Sequence, residues 1–225
     1  MIRGSHTMPR MDPPEPRKNP TAALLIGLET AALLGFSAAV ALTGLALTFY
    51  YRPSGDYAFP DARYLEFDVP FGMLLRNLHR WIGFLWVLAA LANGGAAVLA
   101  WAGGAGRRGL FWAGGIALLF LAGSWTGHRV PWDQLGAWAV TVGTDMARRT
   151  PMLHHDGPFA VAVLGSAGTV SPRYDAREML LGGTLAGSRG LRYFFWTHCV
   201  ALPLATTALL VLNVRYLWRA ARRLR

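Results

Sequence analysis

Two apolar runs each carry a histidine near the start and an asparagine further on. His79 sits in "RNLHRWIGFLWVLAALANGG" at residues 76–95, and His198 sits in "LRYFFWTHCVALPLATTALLVLNV" at residues 191–214. Asn93 follows His79 by fourteen residues, and Asn213 follows His198 by fifteen. Both offsets are near four helical turns, so each asparagine shares the face of its histidine, ~21 Å further along the helix. A strongly polar side chain at membrane depth is costly unless it is paired. Two neutral imidazoles facing across a bundle suit an iron porphyrin with two axial ligands. The residues alone leave a plainer role open, in which each histidine hydrogen-bonds a neighbouring carbonyl.

The elements that must position these side chains are membrane spans. The chain has 225 residues, is 53% hydrophobic and contains a single lysine, Lys18; its mean hydropathy is positive. Four apolar stretches, at 22–50, 73–100, 109–127 and 192–217, are each long enough at ~1.5 Å per residue to cross a ~30 Å hydrocarbon layer. The expected fold is therefore an all-α membrane protein of four transmembrane helices in a haem-binding bundle. The second and fourth spans run in the same direction and carry their histidines in the first turns. His79 and His198 thus fall at one depth.

The net charge of +10 could suggest nucleic acid, but the arginines cluster at the ends of apolar runs, as positive-inside loops do. No nucleic-acid partner is expected; the lipid membrane is. The link between the second and third spans, with Arg107 and Arg108, and the tail "RYLWRAARRLR" are basic and nearly free of acids, as is the N-terminal lead. Nine of the twelve acidic residues lie in the first and third connections, which puts both termini in the cytoplasm. The expected location is a multi-pass protein of the bacterial inner membrane. Cys199 is a lone cysteine in an apolar stretch, which excludes a disulfide framework and two-cysteine haem attachment.

Residues 1–20 read as a tag-like opening, "MIRGSHTMPR", followed by a proline-rich mobile lead, and His6 is set aside with them. Residues 21–218 form the four-helix domain and 219–225 a basic cytoplasmic tail. Between the third and fourth spans, "VPWDQLGAWAVTVGTDMARRTP" reads as short surface helices and "GSAGTVSPRYDARE" as loop.

Four stretches carry a resemblance: "LTGLALTFYYRP", "GMLLRNLHRW", "TGHRVPWDQLGAWAVTV" and "LRYFFWTHCVALP". Across residues 25–217 the chain resembles cytochrome b of the quinol:cytochrome c oxidoreductases, particularly the split, chloroplast-type form of four helices. The resemblance implies that His79 and His198 ligate the outer haem b and that Arg76 pairs with one of its propionates. It implies that Gly44 and Gly127 let the porphyrin approach the backbone, although close helix packing alone would also use them. Pro203 matches the proline after the fourth helix's histidine. Trp138, Ala139 and Val142 match one wall of the outer quinol pocket.

The departures all concern the second, inner haem. Asn93 and Asn213 stand at its ligand positions, Thr30 stands near an expected glycine, and the arginine expected after the inner ligand is absent from "NGGAAV". An amide is a poor iron ligand beside imidazole. The resemblance therefore implies one haem b at the outer site, with quinol as a possible substrate. It also implies partner subunits: one completing the quinol pocket, and a c-type cytochrome or iron–sulfur protein. A membrane anchor that passes no electrons, and a two-haem protein with unusual ligands, are the alternatives. His128, His154 and His155 are expected in surface or hydrogen-bonding roles.

Overall fold

The computed structural model describes residues 18–149 and 187–225. All regular structure there is helical: α1 (Pro20–Thr48), α2 (Ala58–Phe67), α3 (Gly72–Ala100), α4 (Arg108–Gly127), α5 (Gln134–Arg149), α6 (Ser188–Trp196) and α7 (Leu202–Leu224). Four of these segments are long and apolar enough to cross a membrane: Pro20–Thr48, Gly72–Ala105, Arg108–Gly127 and Ser188–Leu224.

Local chemistry sets the helix ends. The Asn19 side chain accepts from the Ala22 N–H at 3.0 Å, and Pro20 takes a first-turn position where its missing N–H is no loss. The Asn19 N–H donates to the Leu224 carbonyl at 2.8 Å, which holds the start of α1 against the end of α7. Gly104 and Gly106, at φ 86° and 83°, turn the chain from α3 into α4 through the left-handed region that glycine enters freely.

Around the bundle α1 packs on α3 and α7, and α4 packs on the same two helices. α3, which carries His79, and α7, which continues the span of His198, therefore stand at opposite corners. Small residues bring the backbones together. Ile26 clusters with Ala96, Ala100 and Leu217, and Leu33 clusters with Ala89, Ala90, Ile116 and Leu210. Outward-facing Leu24, Leu28, Leu42 and Leu118 are exposed, forming the apolar surface that a bilayer would cover.

The structure extends the expected elements in two places. The fourth span runs from Ser188 to Leu224, so the basic residues expected as a tail continue α7. Arginine is a good helix former, and the Arg222 guanidinium lies over the Trp218 ring at 3.5 Å from its centroid. Of the segment expected to hold surface helices, the described residues include α5; "GSAGTVSPRYDARE", His154 and His155 lie outside the described residues. The helix α2 was not expected at all. A methyl on Gly72 would lie 1.9 Å from the Leu65 carbonyl oxygen, so glycine there lets α3 begin directly against α2.

The segment joining α1 to α2 is clamped by Asp61. Its carboxylate accepts from the Arg52 N–H and Nε at 2.9 Å each and from Nη2 at 2.6 Å. These bonds hold the Asp61 carboxyl below its ordinary range, against the opposing effect of burial. A carboxyl depressed in the fold adds stability above its unfolded pKa of ~3.9 and loses it as pH falls through the lower folded value. Asp61→Asn should lower the melting temperature at neutral pH, and the gap from wild type should close on acidification below about 4. Thermal unfolding followed by circular dichroism from pH 7 to 3 checks this, and a constant gap would refute it.

Candidate functional site

His79 and His198 reach toward each other from opposite corners of the bundle, with ring centroids 6.2 Å apart and planes at 84°. Each ring is tied through Nδ1 to a threonine on a flanking helix. Thr43 Oγ1 on α1 lies 3.0 Å from His79 Nδ1, and Thr126 Oγ1 on α4 lies 3.2 Å from His198 Nδ1. Both hydroxyls donate one turn back, Thr43 to the Ala39 carbonyl and Thr126 to the Ala122 carbonyl, at 2.8 Å each. A hydroxyl has one proton, so each threonine oxygen accepts from an Nδ1–H. That assigns the tautomer whose Nε2 lone pair is free, the form in which imidazole ligates a metal.

The next residue after each threonine is a glycine. A methyl on Gly44 would lie 2.8 Å from His79 Cε1, and one on Gly127 would lie 2.6 Å from His198 Cε1. Carbon atoms pack no closer than about 3.5 Å, so both positions exclude a side chain. Two Thr–Gly pairs thus cradle the two rings in the same way. The threonines escaped the sequence reading, although the repeated "TG" in "LTGLA" and "TGHRV" was the available signal.

The unequal spacing from histidine to asparagine also has a structural reason. His198 lies in a π-turn, Thr197–Ala201, closed by the Leu202 N–H on the Thr197 carbonyl. Pro203, in the first turn of α7, has no N–H for the Cys199 carbonyl, which favours the wider turn. The π-turn absorbs one residue. Fifteen residues on α7 therefore match fourteen on α3, and both pairs meet. Asn93 and Asn213 have no exposed surface, and Asn213 Nδ2 donates to Asn93 Oδ1 at 2.8 Å.

The remaining expected residues take up several places. Arg76 pairs through Nη1 with Glu66 on α2, both partly exposed, so in this structure its guanidinium already has a carboxylate partner. Pro203 is exposed, and its evident part is the π-turn. On α5, Val140 and Thr144 face inward while Trp138 and Val142 are exposed and Ala139 is half-buried. Trp132, just before α5, adopts φ 51°, a strained conformation for a bulky residue. His128 Nδ1 bonds the Ser124 carbonyl at 2.8 Å, in keeping with a hydrogen-bonding role. The Tyr51 hydroxyl donates to the Val130 carbonyl, and its ring stacks on Phe195 at 5.6 Å. Burial pushes this phenol above its ordinary pKa, with Cys199 and Asp61 adding to the effect.

Among the described residues no three His, Cys, Asp or Glu side chains group closely enough to hold a metal ion. Two imidazoles alone suit a metal whose other positions its own macrocycle fills. Two rings bound through Nε2 at about 2 Å to one ion would have centroids roughly 6 Å apart, close to the 6.2 Å observed. The donor set and the glycine cradle fit an iron porphyrin.

Residues 21–220 match the family described as Cytochrome b/b6/petB. The chain is 35% identical to cytochrome b6 of Oltmannsiellopsis viridis over 172 residues, covering 75% of this chain and 70% of that one. It is 36% identical to cytochrome b6 of Tupiella akineta over 172 residues, with the same two coverages. In fold it is similar to a chain of a solved structure described as hyperthermophilic respiratory Complex III, with TM-score 0.65 and 24% identity, over 92% of this chain. This chain spans half the length of that one.

Gly44→Val and Gly127→Val should each abolish the visible absorption of a bis-histidine haem in purified protein. Gly123→Ala, on the same helix as Gly127 but with nothing within 4 Å of an added methyl, should leave it intact. Equal pigment in all three variants would remove the glycines from the site.

Proposed function

We infer that this chain, which belongs to the cytochrome b family (b/b6/petB), is a membrane electron-transfer subunit of a quinol-oxidising, bc-type complex, carrying one haem b near the external face. The observation that carries the reading is the facing pair of imidazoles, 6.2 Å between centroids, each fixed by a threonine in the tautomer that ligates metal. His79 and His198 would hold the haem through Nε2, Thr43 and Thr126 would orient the rings, and Gly44 and Gly127 would admit the porphyrin face. When bound, the haem supplies a one-electron ferric–ferrous couple. Arg76, with Glu66 beside it, would set the charge at the propionate edge.

The contact between Asn93 and Asn213 supports a single haem per chain. Their amide atoms are in direct hydrogen-bonding contact at 2.8 Å, with no gap for a porphyrin plane between them. Trp138, Ala139 and Val142 would line one wall of a quinol pocket. The exposed apolar side chains Leu135, Trp138 and Val142 on α5 support a partner subunit that completes it. An iron–sulfur protein or c-type cytochrome on the same side would exchange electrons with the chain.

A pyridine haemochrome count on the purified complex should give one haem b per chain, and His79→Ala or His198→Ala should each remove the bis-histidine spectrum. No haem would favour the electron-silent anchor, and two would restore the inner site. For orientation, the acid-poor link between the second and third spans and the basic end of α7 support a cytoplasmic position for both termini. A cysteine at Ser54 should react with an impermeant thiol reagent from outside and one at Arg225 should not. The reverse pattern would overturn the orientation.

A further inference from the structure

Four of the six buried side-chain polar atoms without partners among the described residues belong to one interior layer of the bundle, the others, Trp86 Nε1 and Arg129 Nε, lying nearer the histidine end. Asn93 Nδ2 is a buried donor with no acceptor, and Asn213 Oδ1 is a buried acceptor with no donor. Both carboxyl oxygens of Glu29 on α1 are likewise buried and without partners. The packing puts Glu29 in the same layer. It follows Ile26, which clusters with Ala96 and Leu217, and precedes Leu33, which clusters with Ala89, Ala90 and Leu210. Asn93 and Asn213 occupy the interval between those same neighbours on α3 and α7.

We propose that Glu29, Asn93 and Asn213 form one proton-holding site, a ring of three hydrogen bonds linking α1, α3 and α7. One bond of the ring is in place, Asn213 Nδ2 donating to Asn93 Oδ1 at 2.8 Å; a turn of the Glu29 side chain would close it, the Glu29 O–H donating to Asn213 Oδ1 and Asn93 Nδ2 donating to the Glu29 carbonyl oxygen. The inventory matches: the amide pair lacks one acceptor and one donor, and a carboxylic acid supplies both from adjacent atoms. A carboxylate, which only accepts, would leave Asn213 Oδ1 without a donor. Exchanging oxygen and nitrogen in both amides reverses the direction of the ring and keeps the count.

No cation competes for the carboxyl among the described residues. Glu29 is the only charged residue within α1, α3 carries none after Arg80, and α4 carries none after Arg108. The nearest on α7, Arg215, is exposed. Tyr216, also on α7, has its hydroxyl engaged with the Gly106 carbonyl at 2.7 Å. Arg219, Arg222 and Arg223 follow further along α7 and are exposed, and His79, His198 and Cys199 lie at the opposite end of the bundle. The layer thus holds one exchangeable proton where the resemblance places a second iron. The site rests on the reading that no second haem parts Asn93 from Asn213, and it is the same whether one haem or none is held at the histidine end.

Infrared difference spectra of the full chain in its complex, in native lipid at neutral pH, test the site. Wild type minus Glu29→Gln should show the carbonyl stretch of a hydrogen-bonded carboxylic acid, moving to lower frequency in heavy water. Asn213→Leu should move that band to higher frequency. Glutamine offers the ring an N–H and a carbonyl, so Glu29→Gln should melt close to wild type while Glu29→Leu melts several degrees lower. Carboxylate bands assigned to Glu29 in place of the acid band, or equal melting of the Gln and Leu variants, would overturn the proposal.

Discussion

The arrangement depends on one requirement: two imidazoles must meet at a single depth from helices that stand at opposite corners of the bundle. α3 and α7 make few contacts with each other, so neither can position the other's histidine. The flanking helices do it instead. α1 presents Thr43 and Gly44 to His79, and α4 presents Thr126 and Gly127 to His198. Each dipeptide combines an acceptor for Nδ1–H with a backbone that has no Cβ, so one short sequence supplies both orientation and room. The alanine-rich layers below keep the four backbones near enough for these reaches to succeed.

Register is the second half of the same requirement. A straight α7 would rotate Asn213 by about 100° relative to Asn93 once His198 was in place, because the two offsets differ by one residue. The π-turn at Thr197–Ala201 takes up that residue. At the histidine end the chain is fastened again by Tyr51 on the Val130 carbonyl and by Asp61 on Arg52, tying the end of α1 to the turn before α5 and to α2. At the other end a methyl on Gly109 would lie 2.1 Å from Tyr216 Cε1, so α4 and α7 approach through a missing side chain.

Much of this was legible in the residues. Long apolar runs identified four spans, and histidines in the first turns of two parallel spans gave the matched depth. The unequal asparagine offsets were visible as numbers, but α-helical arithmetic treats both as near four turns and cannot say where an extra residue is absorbed. α2 was hidden because "AFPDARYLEF" mixes apolar and charged residues in ten positions and forms by packing on the start of α3. The partnership of Arg76 with Glu66 depends on that packing and has no local signature. The threonines escaped for a different reason. A hydroxyl in a membrane helix ordinarily bonds the carbonyl one turn back, and both do so here while also accepting from a ring nitrogen.

The contact between Asn93 and Asn213 has an electrical consequence. Carrying one elementary charge through 100 mV of membrane potential involves about 2.3 kcal/mol. In a two-haem chain each electron crossing the bundle exchanges part of that work with the field. In the one-haem arrangement proposed above, an electron enters and leaves at the histidine end and traverses little of the potential drop. Such a subunit is electrically silent: its electron transfer neither charges the membrane nor is slowed by a membrane already charged.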